Sequence, residues 1–570
     1  MKGKREKKSQ KKNNKFIRNL IITVIFLICT AFIVNIAPNY IKESYGDKTA
    51  LVINYNNITK RLKRDIIIEN ENIYISTVDI MNFFDETIYY DKDNKQIVTT
   101  SDKKIAVFPI DSNTITVNGS KKKAYACAIQ KEVDGEEVRY LPISELKDIY
   151  NIQITYIKDS NTVTIESLDR ECKVANTVKN NNVKYLPTQL SKTVDKIEKG
   201  ESVTVISTTN DDDNGYQKVI TDLGIIGYVK KNTLSGETVV RNKVENEKQI
   251  EGKVSLGWEY FSEYGKAPDM TGKELQGVNV VSPAFFELKK LGKGEINENV
   301  GDQGIAYINW AKENNYKVWA MFSNSSLQDT THEILNDYKL RQNLIENVVK
   351  LVSKYNLDGI NIDFENMLEE DKDMYSRFIV ELAPRLREYG KVLTVDVTAP
   401  DGSANWSLCY DRHVLGHAAD YLIFMAYDQY GVSSKTPGTT AGYNWVESSL
   451  KKFVDENREG VDSDKIILAV PFYTRLWTTE NGTTKSGVIS IKYTNEVVPQ
   501  DVQKTWDDDL RQYYSKYEQD GKTCEIWFEE ERSLKEKLSL ISEYNLAGAA
   551  YWRLGMENDE IWDVISEYIQ

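Results

Sequence analysis

Polar and apolar residues alternate in the segment Leu357–Glu365, and the polar ones include two carboxylic acids. If this segment is a β-strand, its side chains point alternately to the two faces, so Asn361, Asp363 and Glu365 share one face. Two neighbouring carboxyls can serve general acid–base catalysis, because the charge of one helps the other to keep its proton. A purely structural ladder of polar groups is the alternative, since buried acids are costly unless they are hydrogen-bonded and used.

The elements around this segment predict where the acids lie. Over residues 253–570, eight apolar β-rich runs alternate with stretches of helical spacing. Such alternation predicts a parallel (β/α)8 barrel, or TIM barrel, whose active site lies at the C-terminal ends of the strands. The face with the acids, in the fourth run, is then the barrel interior. The eight runs are VSLGWEYF, GVNVVSPAFFEL, YKVWAMFS, LDGINIDFEN, VLTVDVTAP, ADYLIFMAYDQY, KIILAVPFYTRLW and AGAAYWRLG.

Several of these runs resemble glycoside hydrolase family 18, the family of chitinases and endo-N-acetylglucosaminidases. The family signature on barrel strand four is D-x-x-D-x-D-x-E, and its four positions hold Asp358, Asn361, Asp363 and Glu365. The resemblance continues in order with MAYD at Met425–Asp428 on strand six, PFYTRLW at Pro471–Trp477 on strand seven, and AGAAYW ending at Trp552 on strand eight. It implies a glycosidase that needs neither metal nor cofactor.

The resemblance also implies roles for three catalytic residues. Family 18 enzymes use a group of the substrate in place of a second catalytic carboxyl. Glu365 is expected to protonate the leaving oxygen while the 2-acetamido carbonyl of the sugar attacks the anomeric carbon. Asp363 is expected to hold the acetamido N–H and stabilise the oxazolinium intermediate, and Tyr427 to hydrogen-bond the acetamido oxygen.

A further set of residues is expected, by the same resemblance, to bind the sugar. The set consists of Asn361, Met425, Asp428, Trp552, Tyr473 and Arg475. Trp552 is expected to form the floor of the sugar pocket, because a pyranose stacks well on an aromatic face. Tyr473 and Arg475 are expected at the end of strand seven. Trp258, Phe285 and Trp319 could equally contact the ligand or fill the core, since barrel strands need bulky residues in either case.

Asn361 departs from the family pattern, because most members carry aspartate at its position. An amide cannot share a proton or a charge with Asp363, so Asp363 is expected to titrate differently and the pH optimum to shift. Asparagine still donates and accepts hydrogen bonds. A subgroup of bacterial cell-wall and spore-cortex hydrolases in this family also reads GINIDFE-like. The change therefore does not indicate loss of catalysis.

The N-terminus predicts a membrane anchor. The first nineteen residues carry nine Lys/Arg and one acid, and residues 20–37 form an 18-residue run without charge. Such a run is near the lower limit for crossing a hydrocarbon core. The positive flank predicts a cytoplasmic N-terminus, which places the rest of the chain outside a single-pass cell membrane. A cleaved signal peptide is the alternative, although no clean cleavage site follows Ala37.

A repeat with a constant offset of 66 residues follows the anchor. Residues 73–100 align with residues 139–166, and each unit predicts a strand, a helix and a hairpin. The repeat, within residues 50–168, resembles copper amine oxidase N-terminal-like domains of extracellular bacterial proteins. The resemblance implies no copper here, because the region has no histidine. It suggests a stalk or a wall-adhesion module, and a structural spacer is the alternative.

Residues 172–236 predict a second small module of about five short strands separated by polar turns. The segment resembles bacterial SH3-like domains, which often hold cell-wall peptides or glycan. Residues 237–252 are charged and lack apolar periodicity, which predicts a linker before the barrel.

Composition excludes some classes of function. The net charge is −13 and there is no long basic stripe after the N-terminus, so nucleic acid is not a predicted partner. Five scattered cysteines indicate neither a disulfide framework nor a CxxC metal site. His413 and His417 lie four residues apart, as two metal ligands on a helix would, but no HExxH pattern accompanies them. Partly buried or capping histidines are the favoured interpretation.

The sequence therefore favours a membrane-tethered glycosidase that acts on peptidoglycan or another N-acetylglucosamine polymer. A non-hydrolytic glycan-binding or wall-anchoring protein is the alternative from another class. Action on host or dietary glycans is a third hypothesis. The predicted partners are a glycan substrate, the cell wall through the N-terminal modules, and the membrane through residues 20–37.

Overall fold

The computed structural model describes most of the chain. The described residues are 18, 21–25, 50–54, 62–157, 162–206, 214–242, 249–261, 268–270 and 272–569. The predicted anchor at residues 20–37 lies outside them except for residues 21–25, which are helical with exposed side chains. Within the ranges just given, no helix is long and apolar enough to cross a membrane.

The 66-residue repeat forms two units with the predicted order of strand, helix and hairpin. The first consists of Asn72–Ser76, helix Thr77–Phe83, Tyr89–Asp91 and Gln96–Thr100. The second consists of Glu136–Pro142, helix Ile143–Tyr150, Ile152–Ile157 and Thr162–Ser167. Their first strands pair antiparallel. The remaining strands are Ala50–Asn54, Ile67–Glu69, Ile105–Pro109, Thr114–Val117, Ser120–Lys123 and Ile129–Val133.

A seven-stranded antiparallel sheet follows, with a valine- and isoleucine-rich core. Its strands are Cys172–Asn176, Asn181–Lys184, Thr193–Ile197, Ser202–Val205, Tyr216–Ile220, Ile226–Lys230 and Thr238–Arg241. The sequence predicted about five strands and assigned Thr238–Arg241 to the linker. This β-branched segment instead pairs with Cys172–Val174 as the edge strand. The SH3-like identity of the module stays a prediction.

Eight parallel strands in the C-terminal half of the chain close into a barrel, as predicted. Barrel strands one to eight are Val254–Glu259, Val280–Leu288, Lys317–Ser323, Gly359–Asp363, Val392–Val397, Tyr421–Met425, Ile466–Pro471 and Gly548–Trp552. Ile296–Glu298 pairs antiparallel with barrel strand two. The helices of this unit are Gly301–Glu313, Gln328–Asn336, Tyr338–Lys354, Lys372–Arg387, Arg412–Ala418, Tyr443–Val454, Thr494–Val497, Glu531–Glu543 and Glu560–Ser566.

Alternation along the strands divides the barrel into two apolar layers. Ile360 and Ile362 on barrel strand four, and Phe364 just after it, pack outward in the cluster that includes residues of the surrounding helices. The interior is filled by a separate cluster that includes Trp258, Trp319 and Met321. The face that carries Asn361 and Asp363 therefore points into the barrel, as the sequence predicted.

A five-stranded antiparallel sheet is inserted between barrel strands seven and eight. Its strands are Tyr473–Glu480, Thr483–Ser490, Thr505–Asp507, Gln512–Gln519 and Lys522–Phe528. The prediction that Tyr473 and Arg475 end barrel strand seven was wrong, because that strand ends at Pro471. Phe472 N donates to Trp552 O, and the following residues pair with Thr483–Ser490 instead.

Candidate active site

Asn361 lies at the centre of a buried hydrogen-bond network inside the barrel. Its Oδ1 accepts the indole N–H of Trp258 over 2.8 Å. Its Nδ2 donates to Thr394 Oγ1 over 3.0 Å and to Asp396 Oδ1 over 2.7 Å. The amide thus connects barrel strands one, four and five.

Asp363 lies two residues beyond Asn361, and the charge of its carboxyl acts on that of Glu365. Burial is the main cause that raises the pKa of Asp363 to about 7, and the neighbouring carboxyl of Asp396 raises it further. Asp363 Oδ1 is buried and has no hydrogen-bond partner among the described residues. A buried acceptor without a donor is costly, which makes this oxygen a candidate to receive a substrate N–H.

Glu365 has a pKa well above its ordinary value. Burial is the largest cause, followed by the charge and the hydrogen bond of Asp363 and by the charge of Asp428. A carboxyl in such surroundings keeps its proton near neutral pH. Glu365 can therefore act as a general acid.

Three residues that the sequence did not single out surround this pair. Asp396 is fully buried, and burial raises its pKa well above the ordinary value. Asn324, which follows barrel strand three, contacts the backbone of Glu365 through Oδ1 to N over 3.0 Å and Nδ2 to O over 2.9 Å. Tyr410 donates its hydroxyl to Phe364 O over 2.7 Å. These contacts fix the end of barrel strand four.

A second group of predicted residues meets at Asp428. Tyr473 donates its hydroxyl to Asp428 Oδ1 over 2.8 Å, and Arg475 Nη2 lies 3.1 Å from the same oxygen. The ring of Tyr427 lies 6.3 Å from that of Tyr473, centroid to centroid. Burial raises the pKa of Tyr427 well above its ordinary value, with the charges of Asp396, Asp363 and Glu365 as further causes. The phenol therefore stays protonated and can donate a hydrogen bond.

Aromatic residues lie in the interior close to these groups. Trp552 and Tyr427 pack against the interior cluster, and Met425 is buried at the end of barrel strand six. Trp552 meets Trp258 edge to face, with ring centroids 5.7 Å apart. Trp258, like Phe285 and Trp319, is at most 1% exposed, which resolves the open question for these three in favour of the core.

Other predicted residues lie apart from this group. Asp358, the first position of the signature, accepts Val318 N over 3.0 Å just before barrel strand four begins. The ring nitrogen Nδ1 of His413 lies 3.3 Å from Gly460 O, and that of His417 lies 2.9 Å from His413 O. Among the residues that the structure describes, no group of three His, Cys, Asp or Glu side chains could hold a metal ion.

Comparison with known proteins gives two family matches. Residues 258–557 match the model described as Glycosyl hydrolases family 18. Residues 52–165 match the model described as Copper amine oxidase N-terminal domain, in agreement with the resemblance of the repeat.

Individual relatives cover the C-terminal half. The protein named Uncharacterized glycosylase YvbX of Bacillus subtilis (strain 168) is 26% identical over 302 residues, which is 50% of this chain and 84% of the relative. Cortical fragment-lytic enzyme of the same organism is 25% identical over 242 residues, 41% of this chain and 55% of that enzyme. The solved chitinase from Chromobacterium violaceum ATCC 12472 is 26% identical, with a TM-score of 0.48, over 55% of this chain and 98% of that one.

Proposed function

Because this chain belongs to glycosyl hydrolases family 18, we propose that it hydrolyses glycans that contain N-acetylglucosamine, and that peptidoglycan is its substrate. The observation that carries the proposal is the buried pair of carboxyls, Asp363 and Glu365, at the end of barrel strand four, where the charge of Asp363 helps to raise the pKa of Glu365. Both carboxyls have a raised pKa, and the pair lies where TIM-barrel enzymes hold their active sites.

The reaction proceeds in two steps with retention at the anomeric carbon. In the first step Glu365 gives its proton to the glycosidic oxygen, and the C1–O bond breaks as the acetamido oxygen of the same sugar bonds to C1. Asp363 Oδ1 accepts the acetamido N–H and balances the positive charge of the oxazolinium. In the second step water attacks C1, Glu365 takes a proton from that water, and the bond between C1 and the acetamido oxygen breaks, which restores the acetamido group.

The surrounding residues hold the sugar in this account. Tyr427 donates its hydroxyl to the acetamido oxygen, which aligns that oxygen for attack on C1. Asp428, whose geometry is set by Tyr473 and Arg475, accepts a sugar hydroxyl beside the acid. Met425 and Trp552 supply the apolar floor, on which the pyranose ring stacks.

Peptidoglycan is favoured over chitin by what lies before the barrel. The predicted anchor would keep the enzyme beside the cell wall, and the N-terminal modules would hold wall polymers. The relative named Cortical fragment-lytic enzyme supports a wall-type substrate. Purified peptidoglycan and chitin oligomers should be digested in parallel by the full chain. Release of fragments from peptidoglycan is expected, and release from chitin oligomers alone would contradict this choice of substrate.

Tethering through residues 20–37 is a separate part of the proposal. Its support is the uncharged 18-residue run behind a strongly basic flank. Cells that produce the full chain should retain it in the membrane fraction, and a chain that starts at residue 50 should not be retained. Recovery of the protein from the medium with an N-terminus near residue 40 would contradict an uncleaved anchor.

A further inference from the structure

Arg553 is an arginine at the mouth of the barrel that the reaction above does not use. It directly follows Trp552, the last residue of barrel strand eight, and so lies at the C-terminal face of the barrel, where the proposed active site is. Phe472 N donates to Trp552 O over 2.8 Å, and Leu554 N donates to Trp258 O over 2.9 Å. The main chain on both sides of Arg553 is therefore fixed to the neighbouring barrel strands.

The guanidinium of Arg553 lies over an aromatic ring. Its Cζ is 5.0 Å from the centroid of the Tyr260 ring, a distance typical of a cation–π contact. Tyr260 follows barrel strand one and is 51% exposed. Such a contact holds a guanidinium by its flat face and leaves the N–H groups, which point outward in the plane, free to donate.

Arg553 differs from the other arginines of the barrel half in its lack of an acceptor. Among the residues that the structure describes, none accepts a hydrogen bond from its guanidinium or forms an ion pair with it. Every other arginine in residues 272–569 contacts a carboxylate or a hydroxyl. A guanidinium without a protein acceptor is available to an anion that the substrate brings.

Glu259 is a buried acid whose charge interacts with that of Arg553. The two described side chains form no ion pair, and burial raises the pKa of Glu259 to about 7, so this carboxyl often holds its proton near neutral pH. Of the other charged groups around Glu259, Glu557 also has a raised pKa and Lys273 adds a positive charge. The charge of Arg553 is therefore largely uncompensated.

We propose that Arg553, held on Tyr260, binds a carboxylate of peptidoglycan beside the sugar on Trp552, and that this contact selects peptidoglycan over neutral glycans. The inference rests on the proposed function and names the part of the substrate that the site recognises. Chitin carries no charge. In peptidoglycan the lactyl group of N-acetylmuramic acid ends in a carboxylate or in a peptide, and that peptide has carboxylates of its own. A planar guanidinium can donate two parallel N–H bonds to a carboxylate.

The test compares glycan strands that differ only in charge. Peptide-bearing strands of peptidoglycan, and strands from which an amidase has removed the peptides, are each used as such and after their carboxylates have been converted to neutral methylamides. The measurement is kcat/KM of the natural full-length chain and of Arg553→Gln. Arg458→Gln is the matched control, because Arg458 is exposed and lies before barrel strand seven, at the opposite end of the barrel.

The natural chain and Arg458→Gln are expected to lose roughly 10- to 100-fold in kcat/KM when the bound carboxylate is neutralised, the effect of a lost charge-assisted hydrogen bond. Arg553→Gln should lose nothing on neutralisation and should match the natural chain on neutral strands. A loss confined to peptide-bearing strands assigns the contact to the peptide, and a loss confined to stripped strands assigns it to the lactyl carboxylate. Equal losses in all three proteins, or no loss in the natural chain, would overturn the proposal.

Binding separates this inference from the proposed function. Kd for the charged strands is measured in Glu365→Gln, which is expected not to turn the glycan over, with and without Arg553→Gln. The second substitution should raise Kd by a similar factor on charged strands and leave Kd on neutral strands unchanged. If the natural chain hydrolyses no glycan, the proposed function fails and this comparison still tests Arg553. Equal Kd values on charged strands would overturn the proposal, even for an active glycosidase.

Discussion

The side chain of Asn324 makes two hydrogen bonds to the backbone of Glu365. Its Oδ1 accepts Glu365 N over 3.0 Å, and its Nδ2 donates to Glu365 O over 2.9 Å. Asn324 is fully buried, and its Nδ2 is also 3.2 Å from Thr331 Oγ1. Glu365, the proposed general acid, is therefore held from the end of barrel strand three through main-chain contacts, which leave its carboxyl available for the proposed reaction.

Asn324→Ala is expected to lower kcat without abolishing it. Both contacts to the backbone of Glu365 would be lost, and a displacement of a catalytic group by about 1 Å can cost roughly 100-fold in rate. KM should change little, because Asn324 does not bind the sugar in this account. Gln328→Ala is the control, since Gln328 Nε2 donates to the main-chain O of Asn366, the residue after Glu365, over 3.2 Å. Equal kcat in both variants would show that the two hydrogen bonds from Asn324 to the backbone of Glu365 are not needed.

Tyr427→Phe is expected to lower kcat/KM by roughly 10- to 100-fold, the effect of one lost hydrogen bond of about 1–3 kcal/mol in a buried site. The loss should be specific to acetamido sugars, since only they offer the oxygen that Tyr427 contacts. Tyr421→Phe is the matched control, because Tyr421 begins barrel strand six, which Tyr427 follows, and stacks on Trp319. Similar losses in the two variants would contradict the assigned role of Tyr427.

The buried carboxyl of Glu259 is expected to make the stability of the protein depend on pH. Burial at the end of barrel strand one raises its pKa from 4.5 to about 7, against the opposing effects of Tyr260 N–H and Arg553. Between these two pH values the folded chain keeps a proton that the unfolded chain releases, so this contribution to stability is lost as pH rises.

Glu259→Gln should therefore stabilise the protein at pH 8 by roughly 2 kcal/mol relative to its effect at pH 5. The measurement is the free energy of unfolding at both pH values, with the exposed Glu313→Gln as control. If the difference in free energy of unfolding between Glu259→Gln and the natural chain is the same at both pH values, the raised pKa of Glu259 is contradicted.

Much of the barrel could be predicted from the sequence because its signals are local. Alternation within Leu357–Glu365 placed Asn361, Asp363 and Glu365 on one face, and the eight apolar runs became the eight barrel strands. Asp396 also had a local signal, because Thr394 and Asp396 alternate with valines in VLTVDV. This alternation places Asp396 on the same face of its strand as Thr394.

Other features depend on contacts between distant residues. Asn324 meets Glu365 across 41 positions, and nothing in the residues next to Asn324 indicates this partner. In the run Lys465–Trp477 the only local mark of the strand end is Pro471, since a proline interrupts a central strand, and the residues after it keep a strand-like composition. Thr238–Arg241 pairs with a strand that begins at Cys172, and this distant pairing makes a strand of a segment that reads as a linker.

The most direct measurement of the central claim is the activity of Glu365→Gln on purified peptidoglycan. The substitution keeps the shape of the side chain and removes its proton. Turnover is expected to fall by several orders of magnitude, while binding to the glycan stays close to that of the natural chain. Turnover close to that of the natural chain would contradict the account, and so would a natural chain that binds the glycan and never cleaves it.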